Sequence, residues 1–223
     1  MGNLHRRLIA FDLDGTLIES RRDLADSANA LIVERGGQPL SVEAIAGMVG
    51  EGARVLVQRA LTAAGVADLE GALERFLRIY DTRLLSHTFL YDGITDALLR
   101  AGQIGYVALL TNKPLAHTDK ILNGLAVREM FEAVIGGDGP YPRKPDPAAL
   151  RVLMERAGAA PAHTLLVGDS GIDLQTARNA GIRCCIVSYG FGFRRDRVEG
   201  ADWIVDDAAA LTRVLNEWAE GTE

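Results

Sequence analysis

The sequence predicts an α/β fold: a parallel β-sheet with helices on both faces, interrupted once by an inserted α-helical module. Three observations carry this reading. Short, continuously apolar runs recur along the chain, each followed by a turn or helix signal. These runs do not alternate apolar with polar residues, so they suit a sheet buried on both sides rather than one with a wet face. One long stretch, residues 20–88, instead shows helical spacing and no convincing strand.

The first strand is expected at Leu8 to Phe11. A helix follows from Ser20, which suits an N-cap; Leu24, Ala28, Leu31 and Ile32 share one face, and Gly36-Gly37 ends it. A second helix fits Ala53 to Ala64, stopped at Gly65, and a third fits Leu69 to Leu85 through Leu73, Phe76, Leu77 and Tyr80. The chain returns near Asp92-Gly93, and further strands are expected at Tyr106 to Leu110, Ala133 to Ile135, Thr164 to Val167, Cys184 to Val187 and Trp203 to Val205. Residues 1–16 and 91–223 then form the sheet-bearing core and residues 17–90 the helical module. The two are joined across a hinge near Thr16 to Ser20 and Leu90 to Gly93.

Composition narrows the function. The chain has 223 residues, enough to bury well over half of its unfolded surface without a disulfide or metal staple. Lys and Arg number 24 against 30 Asp plus Glu, for a formal net charge of -6, so no global basic field holds nucleic acid or an anionic membrane. Any anionic ligand must be met by local geometry. The two cysteines, Cys184 and Cys185, are adjacent and poorly placed for a disulfide, which points to a reducing compartment and a cytoplasmic location. The opening Met-Gly-Asn-Leu-His-Arg-Arg leads into only about six apolar-leaning residues before Asp12, too few for a signal-peptide core or a membrane span. Arg6 stands where a myristoylation-type pattern from Gly2 wants Ser or Thr.

The strongest local signal is Phe11-Asp12-Leu13-Asp14-Gly15-Thr16 at the end of the first apolar run. Residues two apart on a strand point the same way, so Asp12 and Asp14 can address one site beyond the carboxyl edge of the sheet. An Asx-type turn would account for Asp14-Gly15-Thr16, but not for Asp12 directly after the apolar run. Three more segments put polar groups just after apolar runs, hence at the same edge. These are Thr111-Asn112-Lys113-Pro114, Arg143-Lys144-Pro145-Asp146-Pro147 at the start of a helix, and Gly168-Asp169-Ser170-Gly171-Ile172-Asp173. Singly, each has a structural explanation; their joint occurrence in this order points to one catalytic edge.

With these segments in view, the sequence resembles the haloacid dehalogenase superfamily over essentially its whole length, and within it the phosphoglycolate phosphatase-like branch. Phe11 to Leu17 is similar to the superfamily's first motif, Thr111-Asn112 to its second, Lys144-Pro145 to its third, and Gly168-Asp169-Ser170 with Asp173 to its fourth. Val49-Gly50-Glu51-Gly52-Ala53 and Thr111-Asn112-Lys113-Pro114 favour the branch, whereas Glu19 departs from the Asp that commonly precedes Ser. The resemblance implies a Rossmann-like core with a helical cap domain, and a Mg²⁺-dependent phosphomonoester hydrolase acting on a small-molecule phosphate ester. Asp12 would be the nucleophile, forming an aspartyl-phosphate; Asp14 would protonate the leaving oxygen and then deprotonate water. Lys144 would neutralise nucleophile and phosphate, while the Thr111 hydroxyl and the backbone N–H groups of Asn112 and Leu13 would bind phosphate oxygens. Mg²⁺ would be held by Asp12, the Asp14 carbonyl and Asp169, with Asp173 ligating or orienting.

Charge counting supports a cation independently. Two like charges about 4 Å apart cost roughly 4 kcal/mol at an effective dielectric of 20, and four carboxylates around a dianionic phosphate make several such pairs. An all-oxygen donor set selects Mg²⁺. Specificity is expected from the insert, where Gly47 to Arg54 offers a glycine-rich loop before a helix; Gly52 and Arg54 are the candidates for a substrate carboxylate, against a simple helix-helix turn. With 2-phosphoglycolate as leading substrate, three alternatives stay open: a phosphatase for another small ester such as a sugar phosphate, a phosphomutase, and a catalytically silent phosphate-binding module. No nucleic acid or membrane partner is expected, and the assembly would be a monomer or homodimer.

The remaining conspicuous residues read as structural. Trp203 and Trp218 fit packing positions, and His5, His87, His117 and His163 lack metal-ligand spacing. Lys113 would touch substrate or hold its loop. Arg194, Arg195 and Arg197 read as a solvated cluster, and Tyr189 to Phe193 as a turn near the active edge with rings beneath the insert.

Overall fold

The computed structural model describes residues 7–221. The readings made on the first six residues, on Gly2, His5 and Arg6, lie outside these. The predicted strands appear as β1 (Leu8–Phe11), β4 (Tyr106–Leu110), β5 (Ala133–Ile135), β6 (Thr164–Gly168), β7 (Arg183–Val187) and β8 (Trp203–Val205). Together they make a six-stranded parallel sheet in the order β5-β4-β1-β6-β7-β8. The first strand is therefore central. The chain builds outward from it on one side through β4 and β5, then crosses back to build β6, β7 and β8 on the other.

Alternation explains why the central strand β1 is apolar throughout. In β1, Ile9 and Phe11 enter one core with Val107, Leu109, Leu165 and Val167, whereas Leu8 and Ala10 enter a second with Ala108, Leu110 and Leu166. Helices α5 (Ile94–Ile104), α6 (Leu115–Gly124) and α9 (Ala208–Glu220) contribute to the first core, and α7 (Ala148–Ala157) and α8 (Gly171–Ala180) cover the second. The same alternation divides the cysteines. Cys185 faces the first core and Cys184 the second, and both are buried free thiols, so adjacent in sequence they point apart. Trp218 is fully buried in α9.

Between β1 and α5 the chain forms α1 (Arg21–Glu34), α2 (Val42–Ala46), α3 (Ala53–Ala63) and α4 (Ala72–Asp81). Helix α1 packs on α2, α3 and α4, and α3 packs on α4. A two-residue antiparallel ladder, β2 (Ile18–Glu19) with β3 (Phe89–Leu90), draws the two ends of this insert together. Helix α4, the third that the sequence predicts in the insert, is shorter than its apolar spacing implies. Gly71 enters it in a left-handed conformation, and the segment after Asp81 turns rather than continuing. The one-turn helix α2, capped by the Ser41 side chain accepting from the Ala44 N–H at 3.1 Å, is too short to leave a periodic signature.

Ser20 occupies the N-cap position of α1 but does not cap it with its side chain. Its hydroxyl instead donates to Asp14 Oδ1 at 2.5 Å. The side chain is turned toward this carboxylate on the adjoining loop, so its oxygen does not accept an N–H of the first turn. Among the described residues, no helix is long and apolar enough to cross a membrane.

Candidate active site

The carboxyl ends of β1, β4 and β6 lie side by side, because Phe11 is level with both Leu109 and Val167. The residues that follow these strands are Asp12, Thr111 and Asp169. They meet beside the central strand, where the order of strand addition reverses and open α/β sheets bind ligands. Asp12 continues the ladder by donating its backbone N–H to the Val167 carbonyl at 2.9 Å, which fixes its direction. A cleft at this edge is lined from the core by Asp12, Asp14, Thr111, Asn112, Lys144 and Asp169, and from the insert by Val49, Gly50, Gly52 and Leu56. Most of the residues picked out by motif are thereby in one place.

Lys144 ties the carboxylates together. Its Nζ lies 2.8 Å from Asp12 Oδ1 and 2.6 Å from Asp173 Oδ1, with all three side chains largely buried. Burial raises the Asp12 carboxyl, Lys144 lowers it and Asp173 raises it, leaving it pushed up to about 6. Burial also lifts the Asp169 carboxyl well above the usual carboxylate range, with Asp173 and Asp12 adding to the effect. The ligand oxygens of Asp12, Asp169 and Asp173 lie within 4.8 Å of one another. Such a compact set of hard oxygen donors, with buried carboxylates whose anionic forms are disfavoured, fits a small divalent cation. Asp173 also accepts from the Ser170 N–H at 3.1 Å and the Ser170 hydroxyl at 2.6 Å, so it is held rigidly at the start of α8.

Asp169 sits among glycines. A Cβ on Gly15, Gly190 or Gly192 would come within 3.0 Å of its carboxylate or its Cβ, and the Gly192 N–H donates to Asp169 Oδ2 at 2.7 Å. Gly15 also has φ of +85°, so both the backbone and the available space require glycine there.

Asp14 belongs to a second cluster. Lys113 Nζ lies 2.9 Å from Asp14 Oδ1 and 3.0 Å from Oδ2, and the Ser20 hydroxyl approaches from the insert side. The same ammonium lies 4.7 Å from the centroid of the Tyr80 ring in α4. Lys113 therefore both holds its loop and lines the cleft, and Asp14 is in place next to the cleft rather than against Asp12's cation. The Thr111 hydroxyl accepts the Lys113 N–H at 3.2 Å, which leaves its proton available to a ligand.

Two candidates for the substrate's carboxylate part company. Gly52 lines the cleft at the start of α3, whereas Arg54, the second residue of that helix, is exposed and absent from the cleft wall. Leu13 has a fully buried side chain, and its backbone N–H helps hold down the Asp12 carboxyl. His117 stacks on Tyr80 at 5.7 Å behind the cleft, and burial depresses its ring pKa. Phe191 lines the cleft and Phe193 packs against the second core. Three contributors escape the motif reading: the Asn112 side chain, which bonds the Lys144 backbone and the Gly50 carbonyl; the Gly192 N–H; and the Ser20 hydroxyl. Asn112 and Ser20 were signalled only by being polar, and nothing in the sequence signalled the Gly192 N–H.

An acid cluster, a buried lysine and a hydroxyl thus meet at the carboxyl edge of the parallel sheet. Comparison with known proteins identifies the class. Residues 6–181 match the haloacid dehalogenase-like hydrolase family, to which the chain belongs. Within that family it falls in the phosphoglycolate phosphatase-like branch and is a phosphatase. The chain is 41% identical over 213 residues to a phosphoglycolate phosphatase of Pseudomonas putida, covering 92% of this chain and 78% of that protein. It is 33% identical over 210 residues to one from Colwellia psychrerythraea, covering 90% and 93% respectively. A crystal structure of a predicted phosphoglycolate phosphatase from Haemophilus somnus superposes with a TM-score of 0.87 at 31% identity, covering 96% of this chain and 99% of that one.

Proposed function

We propose that this phosphatase is a Mg²⁺-dependent phosphomonoester hydrolase whose substrate is 2-phosphoglycolate and whose nucleophile is Asp12. The observation that carries the reading is the placement of Asp12, with Lys144 at 2.8 Å and the carboxylates of Asp169 and Asp173 within ligand distance of the same point. The names borne by the relatives support the choice of substrate. Mg²⁺ would be held by Asp12, Asp169 and the backbone carbonyl of Asp14, with Asp173 oriented behind them, and would supply positive charge for the phosphate oxygens.

In the first half-reaction an Asp12 carboxylate oxygen attacks phosphorus, the bond to the leaving oxygen breaks, and Asp14 donates its proton to that oxygen. In the second, Asp14 takes a proton from water, the water oxygen attacks phosphorus, and the Asp12–phosphorus bond breaks to release phosphate. Lys144 holds the nucleophile's charge throughout, and Thr111 donates to a phosphate oxygen. Residues 17–90 act as a cap that closes the cleft against water. A cytoplasmic location fits the two buried free thiols.

A panel of small phosphate esters assayed with and without Mg²⁺ tests this reading. Turnover should need the metal, 2-phosphoglycolate should have the highest kcat/KM, and Asp12→Asn should release no phosphate. Undiminished turnover by that variant, or a sugar phosphate well ahead of 2-phosphoglycolate, would overturn it.

A further inference from the structure

The cleft wall is divided by chemistry. The insert contributes apolar side chains, among them Leu24, Leu56, Phe76 and Leu77, while the charged groups come from the core. Among the described residues lining the cleft, the basic ones are Lys113 and Lys144. Lys144 is already held between Asp12 and Asp173. Lys113 is as deeply placed, its side chain only 4% exposed, but its carboxylate partner is Asp14.

That pairing conflicts with the chemistry. A general acid must bring its carboxyl to the leaving oxygen, yet both Asp14 oxygens are within hydrogen-bond distance of Lys113 Nζ. If Asp14 turned away with nothing in exchange, Lys113 would be left as an uncompensated buried ammonium, an arrangement that proteins strongly disfavour. A replacement anion at the same place removes the conflict. The ring of Tyr80 also holds the ammonium, at 4.7 Å from its centroid, which limits the freedom of Lys113 to follow Asp14.

We propose that Lys113 is the specificity-determining cation: it binds the carboxylate of the substrate's leaving group and thereby releases Asp14 to act on the leaving oxygen. This rests on the phosphatase reading above and narrows it. The substrate class is the phosphate monoester of a short hydroxy acid, whose carboxylate is only a bond or two from the leaving oxygen. An ester with a neutral tail leaves the Lys113–Asp14 pair intact, so it is slow in chemistry as well as weak in binding. The exchange puts one carboxylate in place of another on the same ammonium, and the released Asp14 takes from solvent water the proton that it then donates to the leaving oxygen.

The test compares 2-phosphoglycolate with ethyl phosphate, which has the same chain length and no carboxylate, in the wild type and in Lys113→Met and Lys113→Arg, all with Mg²⁺. In the wild type, saturating kcat should be at least about 10-fold higher for 2-phosphoglycolate, the low end of what one charge-assisted hydrogen bond contributes. Lys113→Met should reduce the ratio of kcat/KM between the two esters by roughly 10- to 100-fold, and Lys113→Arg should retain most of it. An equal loss on both esters in Lys113→Met would mean that Lys113 merely holds Asp14, and would overturn the inference. The wild-type comparison needs no substitution, and its failure overturns the inference even if Lys113→Met does not fold. Equal wild-type kcat values would overturn the Lys113 role while leaving the phosphatase reading intact. No turnover of 2-phosphoglycolate beside rapid turnover of another ester would overturn the substrate reading itself.

Discussion

The side chain of Asn112 grips the backbone of Lys144 from both sides. Its Oδ1 accepts the Lys144 N–H at 2.9 Å, and its Nδ2 donates to the Lys144 carbonyl at 3.0 Å. The same Nδ2 donates to the Gly50 carbonyl in the insert at 2.8 Å, so one amide joins two catalytic loops and the insert. Removing it strands buried polar groups, each at a cost of about 1–3 kcal/mol. It also frees the loop that aims Lys144.

Asn112→Ala should accordingly lower kcat by about 10²-fold, the effect of a misplacement on the order of 1 Å. Its melting temperature should fall by several degrees, since each kcal/mol is worth about 2–4 °C in a chain of this size. Steady-state kinetics and a thermal melt measure the two separately. A stability loss with unchanged kcat would show that Lys144 is positioned by other contacts.

Lys144→Met removes the cation between Asp12 and Asp173. Breaking a buried ion pair by deleting one partner costs about 3–5 kcal/mol, because the other charge stays buried without compensation. Urea unfolding of the metal-free protein near neutral pH should show a loss of that size. A loss below about 1 kcal/mol would mean that water or backbone donors replace the ammonium.

Burial, opposed by Lys144 and assisted by Asp173, pushes the Asp12 carboxyl up from the model-compound value of 3.8 to about 6. A carboxyl raised in the folded state contributes stability that is fully present below the unfolded value and is lost as pH rises through the folded one. The window for Asp12 therefore runs from 3.8 to about 6, and above it the metal-free site is strained by like charges. Mg²⁺ should relieve that strain only where the carboxyl is ionised. The rise in melting temperature on adding saturating MgCl₂ should be larger at about pH 7.5 than at about pH 5. An increment independent of pH would count against the acid cluster as the metal site.

Gly15→Ala places a Cβ 1.9 Å from Asp169 Oδ2 at a φ of +85°. The left-handed conformation alone costs a non-glycine residue roughly 1–2 kcal/mol, and Asp169 must also move. Mg²⁺ affinity should fall roughly 10- to 100-fold, as for loss of a group that orients a metal ligand. Calorimetric titration checks this, and unchanged affinity would remove Asp169 from the metal site.

The core strands were legible in the sequence because two buried faces make a strand apolar at every position, as Leu8 to Phe11 shows. Asp12, Asp14, Lys144 and Asp169 were legible because each follows an apolar run or opens a helix, and the parallel sheet brings those points to one edge. The ties among them were not. Asn112 with Lys144 and Gly192 with Asp169 are contacts across the chain, set by loop geometry that no local period records. Ser20 misled because an N-cap serine and a serine facing a carboxylate look alike until the loop before it is placed. Arg54 was suggested by its charge beside the glycine-rich loop, and the start of the helix after Gly52 leaves it exposed and off the cleft wall.

The central place of β1 in the sheet has a consequence for how the protein matures. Its two neighbours, β4 and β6, come from distant parts of the chain, and the acid cluster needs the pairing with β6 while Thr111 and Lys113 need the pairing with β4. Neither half of the chain holds a working set. A chain in which β1 has not paired with β6 therefore has its acid cluster scattered, and catalytic competence waits for both pairings of β1. Recovery of activity during refolding accordingly reports that β1 has found both of its neighbours.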